Sequence, residues 1–423
     1  MVAFASLFSF VLVSGALAYP TPSHGRGLAF PPLDPRGLLC HLPIVKRVLC
    51  PRQSPSGPSV QTPIGTALGT EASAGGTRFA VKYASAQRWQ DSTMATKWEL
   101  PNGSSDVTAV PLACPQLYSD PSTYSEDCLS MLLYVPSSVS GNSKAPTLMW
   151  IHGGSFIQGS ATGPGLDGSS LAKATNSIVA VIQYRLGALG FNSPDDRTNF
   201  AVKDVMTALQ FLQRVTPSFG GDASKITIAG QSSGANMVRA LLAVPSASSL
   251  FQSAILQSDP MDYGFLSPSA QKNVQGLFNS NINCSSSDTS CLNALSIPDI
   301  LSAQNQTYLF GFSVEPSATQ SEPMRPVHDG TLLTTTLDSC TPFPQVSKPL
   351  LISTVLNEAG LTIYGNFDGP LSPSLYSQIV NGTFGDPRSD TILSTQAYTV
   401  PVLADGQSAD ARVPLEVLGT DSV

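Results

Sequence analysis

At 423 residues the chain is long enough to bury a large core, as one big domain or two smaller ones. Its 29 acidic and 22 basic residues give a net charge of −7, and only 12% of residues are charged. No charge run therefore points to nucleic acid.

The first 18 residues read as a secretory signal. Val2 to Val13 is mostly apolar, and Gly15-Ala16-Leu17-Ala18 ends in a small-x-small site with cleavage expected after Ala18. The basic region that usually opens such a signal is absent. The run is too short to span a bilayer, and no other segment is long and apolar enough, so no stable membrane anchor is expected. Residues 19–58 form a Pro-rich extension, punctuated by Pro20, Pro22, Pro31, Pro32, Pro35, Pro51, Pro55 and Pro58 and without sheet-like alternation. Lys46-Arg47 within it is either a processing site or a solvated basic pair.

From about residue 59 to 423 strands and helices alternate as one domain. Five runs are apolar at nearly every position: Thr147–Ile151, Ser177–Ile182, Lys225–Ile228, Ser253–Leu256 and Pro349–Ser353. Continuous apolar runs suit central parallel strands buried on both faces. Between them Val205, Ala208, Leu209 and Leu212 repeat at helical spacing, with Pro217 closing the segment, as do Met237, Val238, Leu241 and Leu242. Both stripes read as core packing. The expected fold class is α/β, with a central, mostly parallel sheet flanked by helices.

Chemistry enters at Gly230-Gln231-Ser232-Ser233-Gly234. A strand precedes this Gly-x-Ser-x-Gly and a helix follows, the setting of a nucleophile elbow that presents the Ser232 hydroxyl at a strained turn. The glycines are needed because side chains there would meet the neighbouring strand and helix. The helix N-terminus behind Ser232 favours developing negative charge. Upstream, Ile151-His152-Gly153-Gly154-Ser155-Phe156 follows another strand. N–H groups of such a glycine loop, with that of Ser233, would form an oxyanion hole.

These motifs and their neighbours resemble a fungal secreted member of the type-B carboxylesterase/lipase family, of the α/β-hydrolase fold. The resemblance runs from about Val60 to the end. It includes Gln61-Thr62-Pro63-Ile64-Gly65, Arg88-Trp89, Cys114-Pro115-Gln116, Glu126-Asp127-Cys128-Leu129, Phe219-Gly220-Gly221-Asp222, and Tyr184-Arg185-Leu186-Gly187-Ala188-Leu189-Gly190-Phe191. It implies Ser232 as nucleophile, with Gly153, Gly154, Ser155 and Ser233 at the oxyanion hole. It also implies disulfides Cys114–Cys128 and Cys284–Cys291. Two positions depart from the family: Ser155 stands where glycine is usual, and Gln231 where glutamate is common. The family's acid matches Glu358 in Leu356-Asn357-Glu358-Ala359-Gly360; such a carboxylate orients an imidazole and stabilises its charged form.

The base has no match. On this fold the order is serine, acid, histidine. The four histidines, His24, His41, His152 and His328, all precede Glu358. The expectation is a C-terminally truncated secreted serine ester hydrolase, acting on small-molecule or lipid esters through an acyl-serine, with turnover impaired by loss of the histidine. The alternative is a non-catalytic binding module on the same fold, against which the retained Ser232 argues. No metal or organic cofactor is expected, since no Cys/His cluster has ligand spacing. Oligomeric state has no signature in the sequence. Seven cysteines fit an oxidising compartment; pairing near neighbours, including Cys40 with Cys50, leaves Cys340 alone. Sequons start at Asn102, Asn283, Asn305 and Asn381.

Overall fold

The structure, a computed structural model, describes residues 57–260, 264–315, 322–335, 346–384, 387–404 and 409–421. The signal, nearly all of the Pro-rich extension, His24, His41, Cys40, Cys50 and Cys340 lie outside them.

Nine strands form one sheet: β1 (Ser59–Thr62), β2 (Gly65–Glu71), β3 (Thr77–Lys82), β6 (Ser130–Val135), β7 (Ala145–Ile151), β8 (Ile178–Ile182), β9 (Gly221–Gln231), β10 (Ser253–Gln257) and β11 (Leu350–Ser353). The short β4 (Ala84–Ser85) and β5 (Thr93–Met94) pair separately. Spatial order is β1-β2-β3-β6-β8-β7-β9-β10-β11. From β1 to β8 every pairing is antiparallel; from β8 through β7, β9 and β10 to β11 every pairing is parallel. The sheet is thus mixed. The five apolar runs are its parallel half, in keeping with the expected mostly parallel centre, and an antiparallel half extends from β8 to β1.

Alternate residues of the central strands enter opposite layers, as the two-residue pleat requires. Phe79, Val81, Met131, Leu133, Ile178, Ala180 and Ile182 join the larger core, while Ala80, Leu132, Tyr134, Val179 and Val181 join the smaller. Helix α1 (Ser169–Thr175) places Ala172 in the smaller layer. The short α2 (Gly187–Phe191), α3 (Phe200–Val215) and α4 (Ser233–Leu242) pack into the larger one. Val205, Ala208, Leu209, Leu212, Met237, Val238 and Leu241 are buried there, so both helical stripes are core. Helices α5 (Pro268–Asn281), α6 (Thr289–Ala294) and α7 (Ile297–Val314) follow. After β11, α8 (Gly360–Asn366), α9 (Pro373–Phe384), α10 (Arg388–Ser394) and α11 (Arg412–Asp421) share a cluster of their own, with Phe367, Tyr376, Val380 and Leu415 among its buried members.

One strand departs from its expectation. Leu351 and Ile352 of β11 are 53% and 58% exposed, not buried on both faces. Among the described residues β11 pairs with β10 alone, and lies at the sheet edge. Its apolar run reflects strand character without a covering layer.

Disulfides Cys114–Cys128 and Cys284–Cys291 are both formed. Asn102, Asn283 and Asn381 are exposed, whereas Asn305 is half-buried within α7. The hydroxyl of Thr307 in that last sequon is buried and donates to Ala303 O at 2.9 Å, which leaves Asn305 in the least accessible of the four sequons. No described helix is long and apolar enough to cross a membrane.

Candidate active site

Strand β9 ends at Gln231 and α4 starts at Ser233, so the chain reverses within one residue. That residue, Ser232, has φ 56° and ψ −128°. A non-glycine residue in this region costs on the order of 1–3 kcal/mol and persists only when its surroundings enforce it. The surroundings are visible. Ser232 N donates to Gln257 O at 2.9 Å, tying the elbow to the end of β10. A Cβ on Gly230 would lie 2.3 Å from Gly234 O, and one on Gly234 would lie 2.2 Å from Ile151 O. The backbone of α4 therefore rests directly on the end of β7. Ser232 itself remains partly exposed.

The second motif closes on the same point. A Cβ on Gly153 would lie 2.6 Å from Gln231 O and 3.2 Å from Ser232 Cβ, so the glycine loop touches Ser232. Gly154 (φ 124°), Ser155 (φ 51°) and Phe156 (φ 60°) all have positive φ. For an L-residue such as Ser155 that conformation costs roughly 1–2 kcal/mol, the physical content of the stiffness expected from serine at a usual glycine position. Among the described residues no protein acceptor takes the N–H of Gly153, Gly154 or Ser155. Ser233, at the first position of α4, likewise has an N–H with no acceptor inside the helix. Of the four groups named from the sequence, Gly153 lies against Ser232 and Ser233 follows it in the chain, while Gly154 and Ser155 continue the same loop.

What braces the loop was not read from the sequence. The Gln116 side chain grips Gly159 from both sides, Nε2 donating to Gly159 O and Oε1 accepting from Gly159 N, each at 3.0 Å. Tyr184 Oη donates to His152 O at 2.8 Å, and Gly187 N donates to Phe156 O at 2.7 Å. Cys-Pro-Gln and Tyr-Arg-Leu-Gly, noticed only as family strings, are thus loop supports. The His152 ring stacks on Tyr184 with centroids 4.7 Å apart, and its Nδ1–H donates to Gly153 O at 2.9 Å. Burial lowers its pKa to about 4, so it is neutral at pH 7 and acts as a buttress.

Buried ion pairs fix the elements around the site. Arg185, just past β8, meets Asp204 of α3 through two bonds of 2.7 Å. Arg239 of α4 meets Asp259, just past β10, at 2.8 and 3.2 Å. Arg88 grips Glu126 at 2.7 and 2.6 Å, which explains the Arg-Trp and Glu-Asp-Cys-Leu strings. In Pro326-Val327-His328-Asp329-Gly330, the Asn199 side chain bonds Val327 N, Val327 O and Asp329 Oδ2 at 2.8, 2.8 and 3.0 Å. The His328 amide donates to Leu266 O at 2.9 Å, so the segment has an evident structural role.

Glu358 lies in the turn after β11, partly exposed, its Oε1 accepting from Val355 N at 2.7 Å. Gln257 of β10 is level with both Gln231 of β9 and Ser353 of β11. Ser232 and the Glu358 turn therefore emerge at the same end of the sheet, two strands apart. Two steps of about 4.8 Å put the two strand ends roughly 10 Å apart. His152 and His328 are the histidines among the described residues, and no histidine occurs in residues 359–423.

Residues 56–386 match the "Carboxylesterase family". The chain belongs to that family. Among carboxylesterase relatives, mouse liver carboxylesterase 1 is 34% identical over 50% of this chain and 39% of its own length. The crystal protein of Dictyostelium discoideum is 32% identical over 70% of this chain and 53% of its own. Among solved structures, the PNB esterase superposes with a TM-score of 0.62 at 26% identity, covering 78% of this chain and 70% of that one. The chain spans about half the length of the Dictyostelium relative.

Two predictions follow from the packing. Gly234→Ala drives a Cβ into Ile151 O and should destabilise the protein by about 3 kcal/mol or more, since backbone cannot yield as a side chain does; urea unfolding measures this, and a loss below about 1 kcal/mol contradicts the contact. The second concerns pH. The unfolded His152 imidazole takes up a proton at about 6.5, but the folded one resists until about 4. Between these values the unfolded chain binds more protons, so His152 contributes about 3 kcal/mol that is present above pH 6.5 and lost as pH falls to 4. The stability difference between wild type and His152→Phe should shrink over that window; a constant difference refutes it.

Proposed function

We propose that this carboxylesterase-family chain is a secreted serine ester hydrolase acting on small-molecule or lipid esters. Ser232 Oγ attacks the ester carbonyl, and the N–H groups of Gly154, Ser155 and Ser233, with Gly153 beside them, receive the developing oxyanion. The alcohol leaves, and water hydrolyses the acyl-serine. Glu358 stands where a carboxylate orients an imidazole. No histidine occurs in residues 359–423, and a serine hydroxyl needs a base to take its proton. The observation that carries this reading is Ser232 held at positive φ against Gly153. A binding module needs no such strained serine.

Intact mass spectrometry after treatment with a fluorophosphonate should find one adduct, on Ser232, absent from Ser232→Ala. Hydrolysis of p-nitrophenyl acetate should exceed that of Ser232→Ala. A folded wild-type chain that forms no Ser232 adduct would favour the non-catalytic reading.

Residues 1–18 support export, and the exposed Asn102, Asn283 and Asn381 support glycosylation. Protein secreted from a fungal host should begin at Tyr19 and lose mass on enzymatic removal of Asn-linked glycans. An uncleaved N-terminus refutes the signal assignment.

A further inference from the structure

The braces of the glycine loop lead back to one disulfide. Cys114 and Cys128 are bonded to each other and buried, each 1% exposed. Two buried glutamines run from this bond to the far end of the loop. Gln116 donates from Nε2 to Cys114 O at 3.2 Å and to Gly159 O at 3.0 Å, while its Oε1 accepts from Gly159 N at 3.0 Å. Gln183, just past β8, donates from Nε2 to Cys128 O and Leu112 O, both at 2.7 Å, while its Oε1 accepts from Ser160 Oγ at 2.9 Å. Each amide thus finds partners for both its N–H groups and for its oxygen. Each also joins the carbonyl of one disulfide-bonded cysteine to one of two consecutive loop residues. The link continues toward Ser232. A Cβ on Gly159 would lie 2.5 Å from Gly153 O and 2.3 Å from His152 Nδ1, so the returning end of the loop rests on its beginning. Ile157 N and Gln158 N both donate to Gly154 O at 3.1 Å, which closes the turn. Gly153 in turn lies against Ser232.

A glycine-rich loop gives up much conformational freedom when it is fixed, so an external frame must hold it. A buried amide is such a frame, because any shift that breaks its bonds leaves polar atoms unpaired. We propose that the Cys114–Cys128 disulfide, acting through Gln116 and Gln183, positions the amide loop of the ester-hydrolase site. The disulfide fixes the two cysteine carbonyls from which the glutamines hang. The glutamines fix Gly159 and Ser160, and through Gly159 they fix Gly153 beside Ser232. The inference rests on the acyl-transfer reading and adds to it positioning residues that touch neither the ester nor Ser232. Backbone bonds from Ala113 N to Thr123 O at 3.0 Å and from Ser125 N to Ala113 O at 2.9 Å also align the two segments. The disulfide adds its constraint at the cysteines themselves, next to the carbonyls that the glutamines use. The link also gives Cys-Pro-Gln and Glu-Asp-Cys-Leu a common purpose, since each supplies one half of the frame.

The test compares four full-length proteins: wild type, Gln116→Met, Cys114→Ala with Cys128→Ala, and all three substitutions together. Methionine keeps the length of glutamine and removes its hydrogen bonds. The first readout is amide hydrogen exchange of Ile157 and Gln158, whose bonds to Gly154 O report the loop turn and not the substituted groups. Their exchange should speed about tenfold in Gln116→Met and in the cysteine variant, the loss of roughly one buried hydrogen bond, while interior amides of β7 and β9 stay protected. The second readout is saturation kinetics of Ser232 phosphonylation by a fluorophosphonate. The limiting rate should fall about tenfold in each variant, because a misplacement near 1 Å can cost on the order of a hundredfold. The half-saturating concentration should stay within about threefold of wild type, since positioning acts after the reagent binds. The combined variant should be no slower than the cysteine variant, because both changes cut the same link. Unchanged exchange at Ile157 and Gln158 in either variant, effects that multiply in the combined variant, or a loss carried by the half-saturating concentration overturns the proposal. If the cysteine variant does not fold, Gln116→Met decides by the same two readouts. If wild type is folded yet never phosphonylated, the ester-hydrolase reading fails separately, and the exchange rates still decide whether the disulfide holds the loop.

Discussion

The site depends on one backbone contact: Gly234, in the first turn of α4, pressed against the carbonyl of Ile151 at the end of β7. Helix and strand approach this closely only where a side chain is missing. With α4 seated there, its preceding residue has one way to leave β9, and Ser232 is forced to positive φ. The same approach brings Gly153 against Ser232. The Ser232 elbow and the glycine loop are therefore two outcomes of one packing constraint, and neither is placed by its own local preference. The strain at Ser232 is sustained by a rigid sheet on one side and a buried helix on the other.

The elements so placed are held by charge used sparingly. Only 12% of residues are charged, yet two Arg–Asp pairs are almost wholly buried. Arg185–Asp204 joins the exit of β8 to α3, and Arg239–Asp259 joins α4 to the exit of β10. Such pairs add little net stability relative to a well-packed apolar alternative, because desolvation offsets the attraction. Removing one partner is severe, since the other is left buried and alone. Their position, at the ends of the strands that frame Ser232, makes them clamps on geometry.

Much of this was legible in residue order, and the failures have physical causes. The five apolar runs located all five parallel strands. They could not reveal pairing direction: β6 is as buried as β8, yet runs antiparallel to both its neighbours. Apolar periodicity reports burial, and direction is set by how strands are connected. The run at β11 misled about burial, because an edge strand and a central strand can carry the same residues. The elbow and glycine loop were readable because only glycine fits such contacts. Gln116 and Tyr184 were not, since their partners lie far away in sequence and a single glutamine or tyrosine has no pattern. His152 was placed correctly in the loop, but its role as a neutral buttress needed the stacked Tyr184 ring to be seen.

β11 has a consequence for the molecule's behaviour in solution. Its outer side offers a row of main-chain groups with no described strand beside them, bordered by Leu351 and Ile352 and followed by an 89%-exposed Leu356. This is a template for any extended segment with apolar side chains, whether from the same molecule or another. No proline or lysine within Leu350–Ser353 interrupts it, and the negative charge of the whole chain is the main deterrent to self-recruitment. Screening salt should therefore weaken that deterrent and favour recruitment of extended segments at this border.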